Sequence, residues 1–119
     1  MEKKPKHIKL EYLESMTGGS TDIVKEMIDI FIAQIPEMVE EMHTLYRNKD
    51  WKALGMLAHK AKSSVSIMGM DEVAEDLKKL EYLTKDLKEI ESYRDFIDKF
   101  ERECSAAITE LKEITAKLK

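Results

Sequence analysis

At 119 residues the chain has the length of one domain, and a hydrophobic content of 43% is enough to bury a core. Charged residues make up 37% with both signs interspersed, and only four Gly and two Pro are present, which favours long amphipathic helices over a sheet. A net charge of -4 argues against a general nucleic-acid binder, the single cysteine excludes an internal disulfide, and no run approaches the ~20 apolar residues of a membrane span.

Residues 1–7 read as a polar, basic tail containing Pro5, with no apolar run behind it to make a signal peptide. A domain is expected over residues 8–119. A short helix comes first, with Leu10, Leu13, Tyr12 and Met16 as inward candidates. Thr17-Gly18-Gly19-Ser20 ends it, and Ser20 or Thr21 is placed to cap the next helix. The second helix is predicted over residues 21–48, on the stripe Val24, Met27, Ile28, Phe31, Ile35, Met38, Met42 and Leu45. Pro36 inside it removes a backbone donor and crowds the preceding turn, so a kink or break is expected there. Asp50 is a good N-cap for a third helix over residues 51–68, whose seam is Trp51, Leu54, Ala58, Ala61, Val65 and Met68. Gly69 stops that helix. The fourth starts near Met70 or Asp71, where Asp71 and Glu72 suit the positive helix end, and carries Val73, Leu77, Leu80 and Leu87. No Gly or Pro follows Met70, so the turn, placed near residues 84–89, has no sequence marker. The last helix, over residues 90–118, keeps a three-four rhythm through Ile90, Tyr93, Ile97, Phe100, Cys104, Ala107, Leu111, Ile114 and Leu118. The fold class expected is all-α: an antiparallel up-down four-helix bundle with a short additional N-terminal helix.

Three histidines could carry chemistry. His7 lies in the tail, where a solvated residue is the ordinary case. His43 forms a Glu-x-x-His pair with Glu40, but di-metal bundles need two such pairs plus further carboxylates, and none follows. His59 differs. At 100° per residue it falls about 130° from the centre of its helix's apolar seam, so its ring faces solvent. Gly55 and Ser63 lie one turn away and Ser66 is close by, so the neighbourhood is small-sided. Gly55 inside a helix costs about 1 kcal/mol relative to Ala, which calls for a compensating reason. Lys62, at i+3, can reach a group carried by His59. Residues 51–70 contain Lys52, Lys60 and Lys62 and no acid, a charge of +3 that leaves -7 on the remainder. From spacing alone, an anion site and an ordinary solvated face are equally good readings of that segment.

The run Ala58-His59-Lys60-Ala61-Lys62-Ser63-Ser64-Val65-Ser66-Ile67-Met68-Gly69 resembles the signature of histidine-containing phosphotransfer (HPt) domains. His59 is followed by Lys three later, a small residue four later and Gly ten later, in the family's register. The fourth position is Ser63 here and most often Gly in the family. Thr17-Gly18-Gly19-Ser20, the long helix through Phe31 and Asp50 before the signature also fit, so the likeness spans roughly residues 8–115. The resemblance implies a phosphorelay carrier whose outer ring nitrogen accepts a phosphoryl group from a receiver-domain aspartate and passes it to another receiver. Lys62 would then neutralise phosphoryl charge. Glu81, twenty-two residues after the histidine, would hold the inner ring N–H; otherwise it is a surface carboxylate paired with Lys78 or Lys85. Gly55, Met56, Ser63, Ser66, Ile67 and Gly69 are the expected access and docking residues, with Met56 and Ile67 pointing away from the seam. No kinase activity is expected, since the four glycines form no nucleotide loop. No cofactor is expected in this chain; the receiver would bring Mg²⁺. The partners implied are receiver domains and a hybrid sensor kinase, with no nucleic acid and no membrane, and the chain is expected to be a cytoplasmic monomer. The rival reading is a non-catalytic helical adaptor of the same shape with its histidine unused.

Overall fold

The computed structural model describes residues 8–117, so the expected tail, His7 and Leu118 lie outside the described residues. Five α-helices follow in order: α1 Glu11–Thr17, α2 Thr21–Arg47, α3 Trp51–Ile67, α4 Asp71–Asp86 and α5 Tyr93–Lys117. A 3-10 turn, Ile90–Ser92, precedes α5. Helix α2 packs on α3 and α5, and α4 closes the ring by packing on α3 and α5. With short turns between successive long helices, this is the expected antiparallel four-helix bundle, and α1 lies across α2.

The stripes face one another as their periodicity demands. Ile28, Phe31, Ile35 and Met42 of α2, Leu54, Ala58, Ala61 and Val65 of α3, Leu77 and Leu80 of α4, and Ile97, Phe100 and Leu111 of α5 are buried together. The Val, Leu, Ile, Met and Phe side chains among them contribute about 1.5–3 kcal/mol each when fully withdrawn from water. Ala58 and Ala61 are the small members, and they let α3 sit deep between its neighbours. The carboxylate of Asp50 accepts the Ala53 amide hydrogen at 3.2 Å, the cap its position predicts. Gly69, at φ 72°, turns the chain out of α3, and its amide donates to the Ser66 carbonyl at 3.0 Å. A side chain there would also meet the backbone of Lys9, whose amide donates to the Met68 carbonyl at 2.9 Å. Gly69 thus ties the N-terminal segment to the end of α3.

Several expectations are corrected. Of the kink or break expected at Pro36, the break does not occur: α2 is one helix through Pro36, which stands on the exposed face, where water can take the Ile32 carbonyl that loses its donor. Ser20 has the extended backbone of an N-cap but makes no side-chain cap bond. Tyr12 and Met16 are exposed, because α1 is too short to bury more than the Leu13 stripe. Leu87 is exposed, since α4 has ended and the residue adopts φ 54°. Ile90 is outside the α5 stripe; the 3-10 turn rotates it to the surface, and the buried run starts at Tyr93.

Candidate functional site

His59 lies on the α3 face away from the buried seam, with its side chain 63% exposed. Opposite it, Glu81 projects from α4 with a side chain only 16% exposed. The His59 Nδ1 is 3.0 Å from each Glu81 carboxylate oxygen. A carboxylate only accepts, so Nδ1 carries the hydrogen and donates it. In the neutral ring this leaves the lone pair on Nε2, the nitrogen on the side of the ring away from Glu81. The alternative pairing of Glu81 with Lys78 or Lys85 is not what the fold uses.

The two helices are brought together by two residues one turn away. Gly55, four residues before His59, is buried, and Thr84, three residues after Glu81, is 3% exposed. A methyl group placed on Gly55 would overlap the Thr84 hydroxyl. The glycine that looked costly from the sequence is therefore a helix-contact residue as well as part of the wall beside His59. Thr84 was missed in the sequence, where a lone Thr on a charged helix looks solvent-facing. The signal that could have found it is its place one helical turn after Glu81, on the same face, as Gly55 stands one turn before His59 on an antiparallel neighbour.

Around this pair the surface is open on both sides. A groove of about 680 Å³ is bounded by Met56, Thr84, Lys85 and Leu87, with Lys52 at its edge, and His59 and Glu81 form its wall. Met56 is 66% and Leu87 58% exposed, so the groove carries apolar side chains open to solvent. On the other flank Lys62, Ser63, Ser66 and Gly69 face Tyr12 and Met16 across a second groove. Ser63 is exposed and Lys62 half-buried. Lys62 makes no ion pair with a described residue. Ile67 does not stand clear of the seam as expected. It is half-buried against the core and forms the floor of that second groove. The exposed apolar groups there are Tyr12 and Met16 instead, supplied by α1.

His43 is placed elsewhere on the bundle. Its Nε2 is 2.9 Å from Glu101 Oε1 of α5, and Asp98 is near enough to offer a third ligand atom within 4.8 Å. Asp98 also pairs with Arg94 at 3.8 Å. Glu101 and Asp98 are exposed, and the arrangement is an interhelical hydrogen bond rather than the paired Glu-x-x-His set of a di-metal bundle. Among the described residues no helix is long and apolar enough to cross a membrane.

The site is thus an exposed histidine on a helix face, its inner nitrogen held by a carboxylate and its outer nitrogen on the side away from that contact. The family profile of the Hpt domain matches residues 26–116, which include the whole of α3 and α4. The chain belongs to the Hpt-domain family. Members of this family are phosphotransfer carriers of two-component phosphorelays rather than kinases, and they interact with the receiver domains and kinases of those systems. The fold of this HPt protein is also that of a solved structure, histidine-containing phosphotransfer protein B (HptB) from Pseudomonas aeruginosa PAO1. The two match with a TM-score of 0.87 at 23% identity, over 98% of this chain and 100% of the other. No curated protein matches the sequence.

Proposed function

We propose that His59 is the phosphoryl-accepting residue, and that this HPt domain takes the group from an aspartyl phosphate of one receiver domain and gives it to the aspartate of another. The observation that carries the reading is the Nδ1–Glu81 contact on an otherwise exposed imidazole. The Nε2 lone pair attacks phosphorus, a P–N bond forms, the P–O bond to the aspartate breaks, and the carboxylate leaves with the electron pair. The Nδ1 proton stays on the ring, where Glu81 balances the positive charge that develops. Transfer onward is the same step reversed. Lys62, one turn along α3, supplies a cation for the phosphoryl oxygens, and catalysis of this kind rests on positioning and charge more than on covalent participation.

The receiver completes the site. On this reading it brings the acceptor aspartate and Mg²⁺, and it docks over Met56, Ser63, Ser66 and Ile67. Gly55 and Gly69 hold the two ends of α3 around that face. The upstream donor is the receiver of a hybrid sensor kinase, the domain occupies residues 8–119, and the protein acts as a cytoplasmic monomer. The positive α3 segment favours approach by an acidic pocket and acts mainly on association rate.

The test is incubation with phosphorylated receiver domains, followed by detection of an acid-labile label on His59. His59→Gln should abolish uptake while circular dichroism stays unchanged, because the exposed ring has no core role. A labelled His59→Gln variant, or one that loses its helicity, defeats the assignment. A parent protein that docks receivers but never takes label is an adaptor instead.

A further inference from the structure

We propose that Gly55 and Thr84 are positioning residues: their contact sets the separation of α3 and α4 that keeps Glu81 on His59 Nδ1. The inference rests on the reading of His59 as the phosphoryl carrier but concerns residues that never touch the phosphoryl group.

The geometry is a two-rung ladder between antiparallel helices. One rung is His59 to Glu81 at 3.0 Å; the other, one turn toward the start of α3 and the end of α4, is Gly55 against Thr84. The second rung is dry and stiff. Thr84 is 3% exposed, and its hydroxyl donates to the Glu81 carbonyl oxygen at 2.8 Å, so side chain and backbone of the Glu81 turn are tied together. A methyl added at Gly55 would collide with that hydroxyl and stand 3.3 Å from the Thr84 Cβ. Turning the hydroxyl aside would break its bond to Glu81, and no rotation about the Thr84 side chain moves the Cβ. Accepting the methyl therefore means losing the bond that ties Thr84 to the Glu81 backbone, easing the helices apart, or both, and each change falls one turn from the imidazole hydrogen bond. A hydrogen bond tolerates little stretch beyond about 3.2 Å for N–H···O.

The far side of this contact is fixed as well. The Tyr93 hydroxyl donates to the Leu83 carbonyl at 2.8 Å, and the Tyr93 ring meets Trp51 of α3 edge-on with centroids 5.3 Å apart. The last turn of α4 is thus anchored at Leu83, beside Thr84, so this turn has little room to give way when Gly55 is enlarged.

The experiment compares the parent, Gly55→Ala, Thr84→Ala and the double variant, each folded as judged by its melt. Two quantities are read: the ¹⁵N shifts of the His59 ring in unphosphorylated protein, which report the tautomer, and the rate of label uptake from phosphoramidate. That small donor needs no docking face. Its P–N bond breaks, ammonia leaves, and the new P–N bond forms at Nε2. Gly55→Ala should shift the ring away from a single Nδ1–H form and slow uptake about tenfold to a hundredfold, the scale of a misplaced reacting group. Removing the obstacle in the double variant should return both readings to those of Thr84→Ala alone. A purely structural role would lower the melting temperature and leave the ring shifts where they are.

A folded Gly55→Ala with the parent's shifts and rate overturns the proposal, as does a double variant as impaired as Gly55→Ala. If Gly55→Ala does not fold, Thr84→Val serves, since it sets a methyl where the hydroxyl stands and is close to isosteric. It should give a smaller change of the same sign in both readings, and parent values would overturn the proposal. Failure of the parent itself to take label on His59 would overturn the carrier reading, while the ring shifts would still decide the spacing.

Discussion

Lys62 and Ser63 separate charge from access on one face of α3. Lys62 is half-buried and makes no ion pair with a described residue. Lys62→Ala should therefore change stability by no more than about 0.5 kcal/mol, as surface sites do. It should slow phosphoryl transfer in both directions, because the lost cation acts where charge develops. Equal rates for the variant and the parent in a receiver-to-HPt assay would remove Lys62 from the mechanism. Ser63 lies one turn beyond His59 and is exposed. Ser63→Gln keeps a good helix former but lengthens the side chain, so uptake from a receiver should fall more than uptake from a small phosphodonor. Ser63→Gly should leave transfer intact and cost about 1 kcal/mol of helix stability. If Ser63→Gln takes label from the receiver as fast as the parent does, the docking face lies elsewhere on the bundle.

The turns between elements show where this chain accepts backbone strain. Lys49, Leu87 and Glu89 hold positive φ angles of 57°, 54° and 51° without being glycine. A side chain in that region costs roughly 1–2 kcal/mol through crowding of its Cβ. Lys49 is exposed in the turn between α2 and α3 and lines neither groove beside His59. Lys49→Gly should raise stability by about 0.5–1 kcal/mol, less than the full relief because glycine gains freedom in the unfolded chain. A urea melt with unchanged slope and a higher midpoint would bear this out; a lower midpoint would show that the lysine side chain supports the turn. Leu87 is a poorer place for the same change, because its exposed side chain forms part of the groove beside His59.

At the scale of the molecule, burial holds two acids in their protonated forms. Desolvation, with Glu103 adding to it, pushes the Cys104 thiol up from 9.0 to about 12. Desolvation first, then the charges of Glu89, Glu91 and Asp86, raises Tyr93 above its ordinary 10.0. The unfolded chain gives up both protons at lower pH than the folded one. Their contribution to stability is complete below about 9 and is lost as the pH climbs through the raised folded values. Denaturant melts in an alkaline series should show a falling midpoint, and Cys104→Ala should make the fall shallower. The same burial predicts that a thiol reagent reacts with Cys104 only as fast as the protein opens. A pH-independent midpoint, or immediate labelling of the native protein, would contradict this account.

Periodicity alone determined which residues form the four stripes, because every long helix must bury one face and Ile28, Leu54, Leu77 and Phe100 have no other place to go. The outward position of His59 followed from the same wheel, and the resemblance of its α3 run to the HPt signature pointed to its chemistry. What periodicity could not decide was any contact between helices. The carboxylate that meets the imidazole is set by the offset of α4 against α3, and the reason for a buried glycine at position 55 exists only once Thr84 is opposite it. Short pieces also escaped the pattern. Tyr12, Leu87 and Ile90 lie where a helix is too brief, has stopped, or has tightened to 3-10, so their side chains no longer follow the face their spacing implied. The sequence by itself determined the core-facing residues and the exposed histidine, since both depend on one helix at a time. The resemblance implied Glu81 at the inner ring nitrogen, but only the tertiary structure decided that contact over a pairing with Lys78 or Lys85, and with it the shape of the grooves beside that histidine, since both depend on the distance between two.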